Sequence, residues 1–219
     1  MPPQQLLLFV FLLALFMALV QLGAITVAFQ KLGLSSQSAF TLLFASLLGS
    51  AVNLPVTKVK ATRPENLDEV PEPMRPLVEE ALRRFKGETQ LAVNVGGGLV
   101  PVMFSYYLMR HHPLPLGEVL MGIAIVALVC YYASRPMPGL GIGIPIFVPP
   151  IAAALTAWGL DPDHSAPLAY ICGTLGVLLG ADLMRLGDIR RMGAPMASIG
   201  GAGTFDGIFV TGIVAVLLA

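Results

Sequence analysis

The sequence predicts an all-α, polytopic membrane protein of about seven transmembrane helices, some of them interrupted by glycine and proline. Three observations predict it. The 219 residues are 56% hydrophobic and only 12% charged, against about 25% charged for a soluble domain, and the mean hydropathy is +0.79. Seven apolar runs approach the roughly 20 residues that cross about 30 Å of hydrocarbon. The basic residues between those runs fall almost entirely on alternate connections.

The runs are Leu6–Phe29, Ser38–Val56, Leu91–Met109, Gly117–Ala133, Gly139–Trp158, Ala166–Met184 and about Gly200–Ala219. The first has no basic stretch before it and is longer than the 7–15-residue apolar region of a signal peptide, so it is expected to stay as a first helix. The fifth is broken by Gly139, Gly141, Gly143, Pro145, Pro149 and Pro150. The connections after the second, fourth and sixth runs carry Lys58, Lys60, Arg63, Arg75, Arg83, Arg84, Lys86, Arg135, Arg185, Arg190 and Arg191. The opposite side has only Lys31 and Arg110, which is eleven against two. By the positive-inside rule the N-terminus is cytoplasmic and the C-terminus external, in an inner (cell) membrane.

Residues 1–219 read as a single membrane domain, with residues 57–90 as a cytoplasmic loop. Its first half, ATRPENLDEVPEPMRP, has loop chemistry. In its second half Leu77, Val78, Ala81, Leu82 and Phe85 fall at helical spacing, while Glu79–Arg83 and Glu80–Arg84 stand at i,i+4. A short amphipathic helix at about 76–86 is expected, lying on the membrane surface. Three runs start rich in glycine, VNVGGGLVP, GLGIGIPIFVPP and IGGAGTFDG. Small residues let helices approach closely in lipid, and irregular backbone is tolerated where it lines a cavity.

Composition excludes some classes. The formal net charge is zero, so nothing points to nucleic acid. Neither a phosphate-binding loop, a nucleophile elbow nor a zinc motif occurs, and no metal or organic cofactor is called for. Cys130 and Cys172, both inside apolar runs, read as packing residues. The partners expected are the lipid bilayer and either single-span membrane peptides or a small cation.

The candidate site rests on two aspartates in apolar runs, Asp182 and Asp206. Such a residue is a functional-site candidate, because an ionised carboxylate at a bilayer centre costs about 2.5–3.5 kcal/mol even on insertion scales. With a helical rise of 1.5 Å per residue, Asp182 lies ~6 Å and Asp206 ~9 Å inside the cytoplasmic boundary. Asn53, Asn94, Gly203, Thr204 and Gly207 gather at the same level as lining candidates. Two facing carboxyls in a low-dielectric site share one proton, so one member can activate water while the other protonates a leaving amine. The same carboxylates beside broken helices also suit a proton- or cation-coupled transporter or channel-like protein. A third reading is a membrane scaffold without a catalytic site, in which both aspartates reach interfacial water and Asp206 caps the helix that follows it.

The placement of Asp182 on the sixth run and Asp206 on the seventh resembles the layout of presenilin- and signal-peptide-peptidase-type intramembrane aspartyl proteases. That family carries its second aspartate in a Gly-x-Gly-Asp motif, where this chain has Gly203-Thr204-Phe205-Asp206, and a Tyr-Asp pair where this chain has Ala181-Asp182. The resemblance implies Asp182 and Asp206 as catalytic residues. More of the chain is similar to a bacterial and archaeal membrane family, domain-of-unknown-function family 1614. The segments that carry this likeness are GTLGVLLGADLMRLGDI (Gly173–Ile189), IGGAGTFDGIFVTGI (Ile199–Ile213) and GIGIPIFVPP. It implies a polytopic membrane protein and no particular activity.

Overall fold

In the computed structural model the described residues are 23–64, 70, 72–201 and 207–219. Helices dominate, in the order α1 (Ala24–Lys31), α2 (Ser36–Ser50), α3 (Arg75–Arg84), α4 (Val100–His111), α5 (Leu116–Ala133), α6 (Val148–Leu160), α7 (Ser165–Val177), α8 (Ile189–Met192) and α9 (Gly207–Leu218). The all-α expectation needs correcting, because five strands are present: β1 (Asn53–Lys60), β2 (Glu88–Asn94), β3 (Arg135–Met137), β4 (Gly141–Gly143) and β5 (Met196–Ile199). They form a three-stranded sheet in the order β1-β2-β5 and a β3–β4 hairpin. β1 runs antiparallel to β2, and β5 parallel to it.

The strands lie inside or beside runs expected to be helical. The second run leaves its helix at Ser50, whose hydroxyl bonds back to the Leu47 carbonyl at 2.7 Å. Asn53–Val56 is already strand, and Pro55 sits at a shift in register where the ladder does not need its missing N–H. The third run begins as β2, turns through a π-helical segment at Val95–Leu99 and only then becomes α4. Pro101, which has no N–H for the regular ladder, stands just past that widened turn. The fifth run is the hairpin followed by the 13-residue α6, which starts Val148-Pro149-Pro150. Among the described residues, two helices are long and apolar enough to cross a membrane: α5, and α7 together with a second π-helical turn at Leu178–Leu183.

The core is built round α7. Every residue of it but Leu175 is buried, and α4, α5, α6 and α9 pack against it. An α-helix apolar on all sides is stable only when surrounded. Small residues bring the neighbours close. A Cβ on Gly176 would stand 2.7 Å from the Val126 Cβ, and one on Gly180 would overlap the Ala127 carbonyl. A Cβ on Gly173 would meet Ala153, and one on Gly212 would stand 2.8 Å from the Tyr170 ring. The outer helices turn large apolar residues outward, including Phe40, Phe44, Met103, Leu120, Leu128, Tyr132, Leu155 and Trp158.

At one end the sheet, α3, α8 and the hairpin form a hydrogen-bonded cap. Thr62 N donates to the Arg190 carbonyl, Gly139 N to that of Met192, and Gln90 N to that of Pro195. α3 packs its buried Val78 against Gly139, whose φ of +71° needs glycine. The Arg84–Glu80 ion pair on its outer face is exposed, at 2.9 Å.

Candidate functional site

Asp182 is held by two irregular pieces of backbone. It lies in the π-helical turn Leu178–Leu183, where Met184 N reaches back five residues to the Leu179 carbonyl. Gly180 at the centre of that turn presses on Ala127, leaving no room for a side chain. Facing it, β5 is followed by Gly200 and Gly201, with φ of +83° and +96°. That left-handed turn points the Gly200 N–H at Asp182 Oδ2, at 2.7 Å. A Cβ on Gly200 would stand 2.5 Å from the Gly98 backbone, so the turn, the π-helical segment after β2 and the aspartate are packed as one unit.

Asp182 borders a cavity of about 430 Å³, a size that accommodates a small ligand or a short peptide segment. Leu140, Ile142 and Ile144 from the hairpin side line it, with Val177, Ile189 and Ile208 opposite. Ser198 and Thr211 add hydroxyls, so Asp182 is the charged group among the described lining residues. Gly201 and Ile208, which bracket residues 202–207 in the chain, are both in its wall.

Asn53 and Asn94 stand behind this wall. The Asn94 amide nitrogen donates to the Ser50 carbonyl at 2.8 Å and to Asn53 Oδ1 at 3.1 Å, while its oxygen accepts from Gly97 N at 2.8 Å. Asn53 Oδ1 also accepts from the Ser198 hydroxyl at 2.6 Å. The two asparagines therefore tie α2, β1, β2 and β5 together and reach the cavity through Ser198. Asn94 is buried and fills its hydrogen-bonding positions with protein groups, as a structural polar residue must. Of the other candidates, Gly207 opens α9. Asp206, Gly203 and Thr204 lie outside the described residues.

Ser198, Thr211, Gly200 and Arg185 belong to the site or its support and were not singled out by sequence. Arg185 donates to the Tyr131 and Ser134 carbonyls at 2.6 and 2.9 Å, pairs with Asp188 at 3.1 Å and lies 4.2 Å over the Tyr131 ring. It caps the C-terminus of α5, where a cation meets free carbonyls and the negative end of the helix dipole. Among the described residues no group of three His, Cys, Asp or Glu side chains converges as a metal site would need.

Among the described residues, fold and site define a mostly helical protein with two helices long and apolar enough to span a membrane and the carboxylate of Asp182 set in a largely apolar cavity. The family model described as "Protein of unknown function (DUF1614)" matches residues 47–218, and the chain belongs to that family. No curated protein and no solved structure matches the chain, so the layout likeness to presenilin-type proteases gains no support from them.

Proposed function

We propose that this chain is a seven-span inner-membrane protein with an aspartyl-type proteolytic site, formed by Asp182 and Asp206 in the cytoplasmic leaflet. The outward-facing apolar side chains of α2, α4, α5 and α6 support a lipid setting, since water-exposed apolar patches of such extent are rare on soluble proteins. Grouping of the expected cytoplasmic segments in one hydrogen-bonded cap supports their lying on one side of the membrane. At the opposite end His112 Nε2 meets the Leu32 carbonyl, and the Ser165 hydroxyl donates to the Ala219 carbonyl.

One observation carries the catalytic reading: the cavity bordered by Asp182 is also bordered by Gly201 and Ile208, on either side of Asp206 in sequence. In the reaction, one carboxylate takes a proton from water as its oxygen bonds to a peptide carbonyl carbon. The other, protonated, gives its proton to the leaving nitrogen as the C–N bond breaks, leaving an acid and an amine. No metal or organic cofactor takes part. The test is co-expression with a single-span reporter. Cleavage is expected from the native chain and from neither Asp182→Asn nor Asp206→Asn, with the double variant no worse than either single one. Cleavage persisting in both variants ends this reading.

A second reading, proton- or cation-coupled transport, is favoured by the irregular backbone beside Asp182, the π-helical turn and the left-handed glycines, because such breaks serve ion sites in transporters. Uptake in proteoliposomes that depends on a cation or pH gradient and is lost in Asp182→Asn would put it first.

A further inference from the structure

Among the described residues, two strand edges border the cavity without a neighbouring strand. In the sheet β1-β2-β5, β5 is terminal, and in the hairpin β4 pairs only with β3. Met196–Ile199 of β5 and Gly141 and Ile142 of β4 line the same cavity.

The direction of the backbone groups follows from the pairing. Gln90 is opposite Met196 and donates to the Pro195 carbonyl. A parallel ladder then turns the backbone of Ala197 and Ile199 toward β2, and that of Met196 and Ser198 away from it. The Ser198 carbonyl is taken by Gly201 N at 3.2 Å. The Met196 N–H and C=O and the Ser198 N–H therefore face the open edge. In the hairpin, Pro136 is opposite Ile142 and has no N–H to exchange. That pair is the non-hydrogen-bonded kind, and it directs the Ile142 N–H and C=O away from β3.

We propose that the cavity is a slot for one extended, apolar peptide segment of a membrane-spanning partner. The guest adds a strand between β5 and β4 and completes a single sheet in the order β1-β2-β5-guest-β4-β3. Strands in a sheet lie about 4.8 Å apart, so one guest strand bridges the two edges where they stand roughly 10 Å apart. Main-chain hydrogen bonds give the affinity, and alternate side chains find the apolar walls. Leu140, Ile144, Val177 and Ile189 suit valine and isoleucine. In a cavity lined mostly by apolar side chains, unpaired N–H and C=O groups are costly, which gives the two edges a reason to capture a strand. The slot rests on the strand edges and needs no chemistry from Asp182. Where the aspartyl reading holds, it names the substrate as a strand-forming peptide.

The test uses the full chain in lipid nanodiscs and a fluorescent eight-residue peptide of valine and isoleucine. Two further versions carry N-methyl groups on the odd or on the even amides, which blocks donation to one edge or the other while keeping the side chains. The parent is expected to bind at least tenfold tighter than either methylated peptide. Met196→Pro, which removes an N–H from the open edge of β5, is expected to weaken the parent about tenfold and to leave the version methylated toward β5 unaffected. Equal binding of all three peptides, or binding of none, overturns the slot. Tight, methylation-sensitive binding without cleavage of the peptide keeps the slot and counts against the aspartyl reading alone.

Discussion

The Gly200 amide donates to Asp182 Oδ2 at 2.7 Å, joining the turn that ends β5 to the π-helical end of the sixth apolar run. The bond depends on a left-handed conformation at Gly200 and on its contact with Gly98, neither of which a side chain permits.

Gly200→Ala is therefore expected to lower stability by about 2–4 kcal/mol, the sum of the left-handed cost and a local overpacking. Gly87→Ala is the comparison. Gly87 also has positive φ, +84°, yet no atom lies within 4 Å of its added Cβ. It should lose only about 1–2 kcal/mol. Thermal unfolding in detergent measures both, and equal losses would contradict the close approach to Gly98.

Close packing of glycines is wider than the three glycine-rich starts suggest. Gly122, in the middle of α5, faces Cys172 so closely that a Cβ would overlap its sulfur. Gly180→Ala should cost about 1–3 kcal/mol through contact with Ala127. Gly159→Ala, on α6 with nothing within 4 Å, should be neutral or stabilise by up to about 1 kcal/mol. A gain at position 180 would refute the contact of the π-helical turn with α5, and a large loss at 159 would refute the open face of α6.

The helices are legible because an apolar run of 18 or so residues, as in α5, has few other solutions. The sheet is hidden for a related reason. Leu91-Ala92-Val93 is apolar whether it is strand or helix, and it runs without a break into the helical residues after it. In Asn53–Lys60 the proline and the register shift spoil alternation, and Met196–Ile199 is too short to show a period. At the site, Asp182 stands out as a charge in an apolar run. Its partner is a backbone amide, which has no residue signature. The Ser198–Asn53 bond joins positions 145 apart in sequence. Nothing local marks either residue for the other.

Asn94 tests the polar wall behind the cavity. Asn94→Ala removes three hydrogen bonds and leaves buried groups unpaired, for an expected loss of about 2–4 kcal/mol. Asn94→Asp is expected to be at least as damaging. It keeps an acceptor for Gly97 N but turns an oxygen toward two others, the Ser50 carbonyl and Asn53 Oδ1. Unfolding of the two variants beside the native chain checks this, and an aspartate variant as stable as the native chain would refute the assigned amide orientation.

Arg185 should not tolerate lysine. A planar guanidinium serves two carbonyls, Asp188 and the Tyr131 ring together, which a single ammonium does not reproduce. Arg185→Lys is expected to cost about 1–2 kcal/mol and Arg185→Ala about 2–3 kcal/mol. Equal stability of the lysine variant and the native chain would reduce Arg185 to a simple surface charge.

Topology gives the last prediction. The native cysteines, Cys130 and Cys172, are buried and should stay silent to a membrane-impermeant maleimide, so single added cysteines report their own side. Between Glu72 and Ala219 the sequence places the third to seventh apolar runs, an odd number, so the two ends belong on opposite faces. A cysteine added after Ala219 should label on intact cells, and Glu72→Cys only after permeabilisation. Thr57→Cys and Glu88→Cys should follow Glu72→Cys, because β1 and β2 pair with each other and share a side. Labelling of positions 72 and 219 from the same face would mean an even number of crossings and would remove the seven-span proposal. Labelling of positions 57 and 88 from different faces would be incompatible with the sheet itself.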